Sequence, residues 1–427
     1  MHLGSIRSFT LLILLSFLSL SALTVPVRTQ ASSEEEPLPG EVVVKLIRAD
    51  ALPAVAADYG LDPAPIDRLG SQPIYRLRIV DGASPEDKAD ALILDPQGRV
   101  TYAEPNRLGQ APEGDGRVLY AGGRSRGDYV AQWAPGLIRL PAAHAITRGA
   151  GVTVAVLDTG ADLSHPAFAG KLLPGYDFVD NDSDPMEMGT YGLNAMYGHG
   201  THVAGLVSLV APEAKILPLR VLDPDGFGDA WVVAKALAYS MDPDGDPSTD
   251  DGVDVINLSL GSPGRSSLLR DVIKAVACND KQDRSPNDLP CFSPSGRGAV
   301  VIAAAGNGGS SEREYPAGDG LKGTLAVGAS TRFDTLAAFS NYGSWVGVAA
   351  PGEDILSSVP GGEYGSWSGT SMATPIVAGE AALVRALYPS LKTAKVVQRI
   401  IDNSVNIGGR VRSRIDAAAA LGLGALN

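Results

Sequence analysis

Apolar positions recur in two different rhythms along this chain. Over residues 40–106 they come in short runs. Glu41–Leu46, Ile74–Ile79 and Val100–Glu104 read as strands, the second strictly alternating, and Leu52–Tyr59 and Pro85–Leu94 read as helices. The order β-α-β-α-β predicts a small α+β module. Beyond residue 150 the runs become continuously apolar and β-branched: Val152–Leu157, then Lys215–Leu222, Val253–Leu258, Ala299–Ala304 and Thr324–Val327. Such runs mark parallel strands buried on both faces. Helical stretches at Thr201–Val210, Trp231–Ser240 and Ser267–Ala277 lie between them. This alternation predicts an α/β fold, a mostly parallel central sheet covered by helices, with chemistry at the carboxyl ends of the strands.

One helix stands apart. From Ser371 to Leu387 the residues SMATPIVAGEAALVRAL are small or apolar nearly all the way round, so the helix must be buried. Pro375 falls early enough to be tolerated in the first turn. Gly379, in mid-helix, predicts close approach of another element. Ser371 then sits at the helix N-terminus, where by itself it would be read as a plain cap.

The segments between the rhythmic stretches set the domain plan. A short, serine-containing apolar run from Phe9 to Leu23 follows Arg7 and reads as a secretory leader, residues 1–31. An acidic, proline-containing linker spans 32–39. The small module occupies 40–106, and a glycine- and arginine-rich stretch at 107–128 reads as an exposed processing linker. The large domain runs over 129–427. A hydrophobic content of 44% against 19% charged residues supports a substantial core, and a net charge of −13 argues against nucleic acid as a partner. No later stretch is long and apolar enough to cross a bilayer, so no stable membrane association is expected, and the chain is expected to be a monomer.

The candidate chemistry is concentrated in four places. Asp158 ends the first buried strand, in VAVLDTG. His199 opens a helix in GHGTHVAG, with His202 facing inward behind it. Asn307 closes a strand in AAAGN. Ser371 lies in GTSMATP. Acyl transfer needs a nucleophile, a base touching it, a carboxylate that fixes the base and a donor for the oxyanion; these four residues supply those types in the order Asp, His, Ser.

With these motifs on the page, VAVLDTGADLSHP, YGHGTHVAG, VINLSLG, AAAGN and GTSMATP together resemble the subtilisin-like serine proteases, from about Trp133 to the end of the chain. The resemblance implies a three-layer subtilisin-like fold and peptide-bond hydrolysis through an acyl-enzyme on Ser371. His199 would be the base, Asp158 its orienting partner, and Asn307 the oxyanion donor. Ser259, Leu260 and Gly261 would pair with a peptide substrate as an added strand, with Ala305 and Gly306 beside it. The small module resembles the family's propeptide, which would be an internal partner that blocks the cleft until removed. The sequence departs from the family's pattern at Glu314, before Tyr315-Pro316, where relatives carry a small or uncharged residue. A carboxylate there would favour arginine or lysine before the scissile bond, and would make Arg107, Arg117, Arg124 and Arg126 natural self-processing points.

Two further features concern stability. Asp177, Asp180, Asp182 and Asp184 crowd four carboxylates into eight residues, a stretch similar to a calcium loop of thermophilic family members, so bound calcium is expected there. A second acidic stretch, Asp242–Asp251, reads as an ordinary loop. Cys278 and Cys291, the two cysteines of the chain, are expected to pair. Two other functions compete. A catalytically silent binding protein on the same fold is opposed by the complete set of four residues, and an esterase by the absence of a Gly-x-Ser-x-Gly elbow.

Overall fold

A computed structural model describes residues 37–113, 120–246, 248–278, 285–411 and 413–424. The proposed leader and most of the linker at 32–39 therefore lie outside the described residues. Pro37, at the end of that linker, already pairs with Arg107.

The N-terminal module is a four-stranded antiparallel sheet in the order Asp67–Arg68, Ile74–Arg78, Glu41–Leu46, Val100–Glu104, with helices Leu52–Asp58 and Pro85–Ile93. Its alternation separates two faces. Val42, Val44, Leu46, Leu77 and Leu92 form the module's own core, whereas Val43 and Ile74 join the core of the large domain. Polar contacts reinforce the docking. Lys45 is buried against Asp271 and the Asn287 carbonyl. Glu104 accepts hydrogen bonds from the Ser266 hydroxyl and from the backbone N–H groups of Ser267 and Leu268, at the start of the helix Ser267–Ala277.

The large domain is built on a nine-stranded sheet. Its parallel part runs, in spatial order, Ser413–Arg414, Val348–Pro351, Thr324–Ser330, Val300–Ala304, Val255–Leu258, Thr153–Asp158, Lys215–Arg220, Tyr176–Asp177. Every residue of Val255–Leu258 and Val300–Ala304 is buried, as their unbroken apolar runs require. The helix Thr370–Leu387 is buried along almost its whole length. Gly379 explains how: a Cβ there would lie 2.5 Å from Cβ of Val210, at the end of the helix His199–Val210. The two helices touch there, where only hydrogen fits. Cys278 and Cys291 are bridged, with 4.8 Å between their α-carbons.

The stretch 107–128 is the exposed linker expected only in part: residues 121–128 are exposed, but Ala111 and Glu113 are buried and the described residues are ordered by pairing. Leu108–Gln110 is a strand between two edges of the large domain, and Ala121–Arg124 pairs with Glu363–Trp367. Arg126–Ala131 is a helix closed by a capping box between Ser125 and Asp128. Its structure comes from backbone pairing with distant strands, which composition does not report.

Candidate active site

Three neighbouring parallel strands deliver the site. Thr153–Asp158, Val255–Leu258 and Val300–Ala304 end at the same edge of the sheet and place Asp158, the Ser259–Gly261 segment and Asn307 side by side. The helices His199–Val210 and Thr370–Leu387 begin at that edge, so His199 is a first helical residue and Ser371 a second.

All four candidate residues are brought together. His199 Nδ1 lies 2.6 Å from Asp158 Oδ1, which also accepts the Thr159 backbone N–H at 2.8 Å. This contact makes Nδ1 the protonated nitrogen and leaves Nε2 facing the cleft. The ring of His199 stands edge-on to Trp367 with centroids 5.4 Å apart. Asn307 Oδ1 accepts from both the backbone N–H and the hydroxyl of Thr370, each at 2.9 Å. Its Nδ2 group therefore points towards Ser371. His202 is buried on the inner face of its helix against the Ile355 and Gly365 carbonyls, and burial pushes it down to about 3, so it is a neutral structural histidine.

The centre of this arrangement holds a residue that the sequence reading passed over. Glu113 Oε2 accepts from the Ser371 hydroxyl at 2.7 Å and lies 3.2 Å from His199 Nε2. Glu113 Oε1 accepts from Asn307 Nδ2 at 2.9 Å and from the Ser371 backbone N–H at 3.4 Å. Burial opposes charge on His199, yet Asp158 and Glu113 on either side overcome it and push the imidazole up to about 10. Burial also opposes charge on Glu113, but His199, Ser371 and Asn307 hold its carboxyl below the usual range. A single glutamate in a glycine-rich linker carries no sequence signal for this position.

The chain that leads up to Glu113 shows the cleft in use. Leu108–Gln110 pairs antiparallel with Phe227–Asp229 on one side, and Gln110 exchanges two 3.1 Å backbone hydrogen bonds with Gly261 on the other. The Ala111 N–H reaches the Gly226 carbonyl at 3.0 Å, and Ala111 is fully buried. An extended peptide thus becomes the middle strand of a three-stranded ribbon that leads to Ser371.

Comparison with known proteins fits this geometry. Residues 149–421 match the model of the subtilase family of peptidases. The chain belongs to the subtilase family of serine proteases. Residues 24–106 match the fervidolysin N-terminal prodomain, so the module docked on the subtilase domain is a prodomain. A thermophilic serine proteinase of Bacillus sp. (strain AK1) is 40% identical over 296 residues, which cover 67% of this chain and 63% of that relative. Thermitase of Thermoactinomyces vulgaris is 38% identical over 285 residues, 64% of this chain and 88% of the relative. Among solved structures, fervidolysin from Fervidobacterium pennivorans, a keratinolytic enzyme related to subtilisin, aligns with a TM-score of 0.69 over 92% of this chain and 62% of its own, at 22% identity. That likeness speaks to the fold.

The remaining expected residues of this subtilase separate into groups. Ser259 bonds its hydroxyl to the Ser371 carbonyl at 2.9 Å and braces the nucleophile, while Leu260 and Gly261 line the peptide path. Ala305 is fully buried. Glu314 reaches the slot between the two walls: a Cβ on Gly306 would fall 2.1 Å from its Oε1, and one on Gly261 3.2 Å from its Oε2. Asn341 Nδ2 donates to Glu314 Oε1 at 3.2 Å, and Arg313 points away to the Gly318 carbonyl. Of the arginines expected at a cut, Arg107, Arg124 and Arg126 do not stand at Ser371, and Arg117 lies outside the described residues.

The acidic loop does not gather its four carboxylates. Asp177 and Asp180 both grip the guanidinium of Arg220, and Asp177 Oδ1 accepts the backbone N–H groups of Val179 and Asp180. Asp182 Oδ1 accepts the Asp184 N–H. Here Arg220, arriving from the adjacent strand, supplies a positive partner for Asp177 and Asp180. Among the described residues, the group with metal-ligand spacing is Asp242, Asp244 and Asp251, in the loop read as ordinary.

Proposed function

We propose that this chain is the precursor of a secreted, monomeric serine endopeptidase that cuts peptide bonds through an acyl-enzyme on Ser371. The observation that carries the proposal is the convergence of Ser371, Asn307 and His199 on the two oxygens of one carboxylate, with Asp158 behind the imidazole. A peptide carbonyl in that position would be attacked by Ser371 Oγ while its proton passes to His199 Nε2. The negative oxygen would be met by Asn307 Nδ2–H and the Ser371 backbone N–H. As the C–N bond breaks, His199 returns the proton to the leaving amine, and water then hydrolyses the ester. Asp158 keeps the imidazole in the required tautomer throughout.

Labelling of Ser371 by a fluorophosphonate, followed by turnover of casein against a short ester, tests this reading. The reading requires a label and casein cleavage. No label means a silent binding protein, and a label with ester turnover alone means an esterase.

Glu314 favours a second-level assignment, a preference for arginine or lysine before the scissile bond. Its carboxylate lies at the slot between Gly261 and Gly306, where a basic side chain would find a partly desolvated partner. Matched peptides ending in Arg or Phe decide it, and a clear Phe preference removes the idea. Mass spectrometry of the product locates the processing points and tests export through the leader.

Calcium has the least support at Asp177, Asp180, Asp182 and Asp184, because Arg220 already pairs with two of them. An unchanged melting temperature on chelation removes it from the proposal.

A further inference from the structure

The prodomain docks on the large domain through Lys45 and Glu104, but Glu113 does something more specific at Ser371. The site that subtilases use for a developing oxyanion is occupied here by an anion from the same chain. We propose that Glu113 is a built-in carboxylate inhibitor of the uncut precursor, its side chain filling the oxyanion site and holding the Ser371 hydroxyl until the linker is severed. This rests on the protease reading of Ser371 and concerns how that same site is regulated.

Three observations carry it. First, both carboxylate oxygens are used: Oε1 takes the two donors meant for the oxyanion, and Oε2 takes the Ser371 hydroxyl. A substrate carbonyl has no donor left while Glu113 is in place. Second, the Ser371 proton is directed at Glu113 Oε2, and His199 Nε2 faces that same oxygen at 3.2 Å. The nucleophile and its base are both beside the same oxygen and are not paired with each other. Third, His199 lies between two buried carboxylates, Asp158 at 2.6 Å and Glu113 at 3.2 Å. An imidazole in that setting is held as its cation, and a cation cannot accept the serine proton.

The arrangement also separates inhibition from cleavage. The hole is filled by a side chain, so no backbone carbonyl of Glu113 is presented for attack there. Backbone pairing of Leu108–Gln110 and Gln110 with the two cleft walls delivers the chain, and burial of Ala111 locks its register. Once the linker is cut, the segment is tethered only through the prodomain, and exchange with substrate releases the latch.

The test compares full-length wild type with Glu113→Gln and Glu113→Ala. Each is treated with a fluorophosphonate, and label in the uncut band is separated from label in the matured band by electrophoresis. Both variants are expected to label the uncut chain at least about tenfold faster than wild type, the effect of one pKa unit on the neutral imidazole fraction. Equal rates in the uncut bands, with label in the matured band, overturn the latch and leave the protease reading intact. No label in any matured band overturns the protease reading itself. A second arm is independent of variant folding. Peptides of residues 107–113 with an amidated C-terminus, carrying Glu or Gln at the last position, are assayed as inhibitors of the matured enzyme. The Glu peptide is expected to inhibit at least about tenfold more tightly, since a charge-assisted bond contributes about 1.5–3 kcal/mol. Equal inhibition overturns the proposal.

Discussion

Gly200 and Gly160 stand in direct backbone contact: a Cβ on Gly200 would lie 2.0 Å from the Gly160 carbonyl oxygen and 3.1 Å from Asp158 Cβ. The helix that carries His199 is thereby pressed onto the turn that follows Asp158. The 2.6 Å contact between Asp158 and His199 depends on that approach. Gly200→Ala must push the helix away from the turn. A misplacement of about 1 Å near a reacting group costs on the order of 10²-fold, so kcat should fall by about that factor with little change in KM. Steady-state kinetics on the matured enzyme provide the check, and a wild-type kcat would show that the contact is dispensable.

Glu104 ties the prodomain to the helix Ser267–Ala277 through the Ser266 hydroxyl and two backbone N–H groups. Removing the carboxylate leaves those N–H groups without their charged acceptor. In a Ser371→Ala chain, which stays uncut, Glu104→Ala should lower the unfolding free energy by about 1.5–3 kcal/mol. Urea titration of that chain measures the loss. The matured enzyme, freed of its prodomain, should show none of it.

Glu380 presents a different kind of strain. It lies inside the Ser371 helix, fully buried, and neither carboxylate oxygen has a hydrogen-bond partner among the described residues. Burial, aided by Asp416 and opposed by Arg414, pushes its carboxyl up to about 8. The folded pKa is above the unfolded one, so the stability that the protonated acid provides is fully present below about pH 4.5 and declines as pH rises to about 8. Melting temperatures of wild type should therefore drop between pH 5 and 9 more steeply than those of Glu380→Met. Parallel curves would place the proton elsewhere.

The bridge between Cys278 and Cys291 spans a sequence separation of 13. It closes the segment that follows the helix Ser267–Ala277, where Cys278 takes a left-handed conformation as the helix cap. A loop of that size contributes about 3 kcal/mol by restricting the unfolded chain. Cys278→Ser combined with Cys291→Ser should lose about that amount in thermal or urea unfolding, and reductant should no longer shift the melting point.

Local chemistry along the chain was enough to predict the five central parallel strands and to single out the four candidate residues. Runs such as Val255–Leu258 can satisfy their backbone only in the middle of a sheet, and a helix as uniformly apolar as Thr370–Leu387 can only be interior. Gly379 announced a close neighbour because a glycine in mid-helix has a conformational cost that packing must offset. What it could not announce was Val210 as that neighbour. The placement of Glu113 at Ser371, the role of Arg220 between Asp177 and Asp180, and the ordering of Leu108–Gln110 were decided by the tertiary structure alone. Each depends on a pairing between segments far apart in the chain: Glu113 lies 258 residues from Ser371, and Arg220 lies 43 from Asp177. Charge and hydrogen-bonding capacity are properties of a residue and can be read one position at a time. Which opposite charge or donor meets it is a property of the folded path, because the same carboxylate can bind a cation, a guanidinium or an oxyanion site depending on what the fold brings within 3 Å.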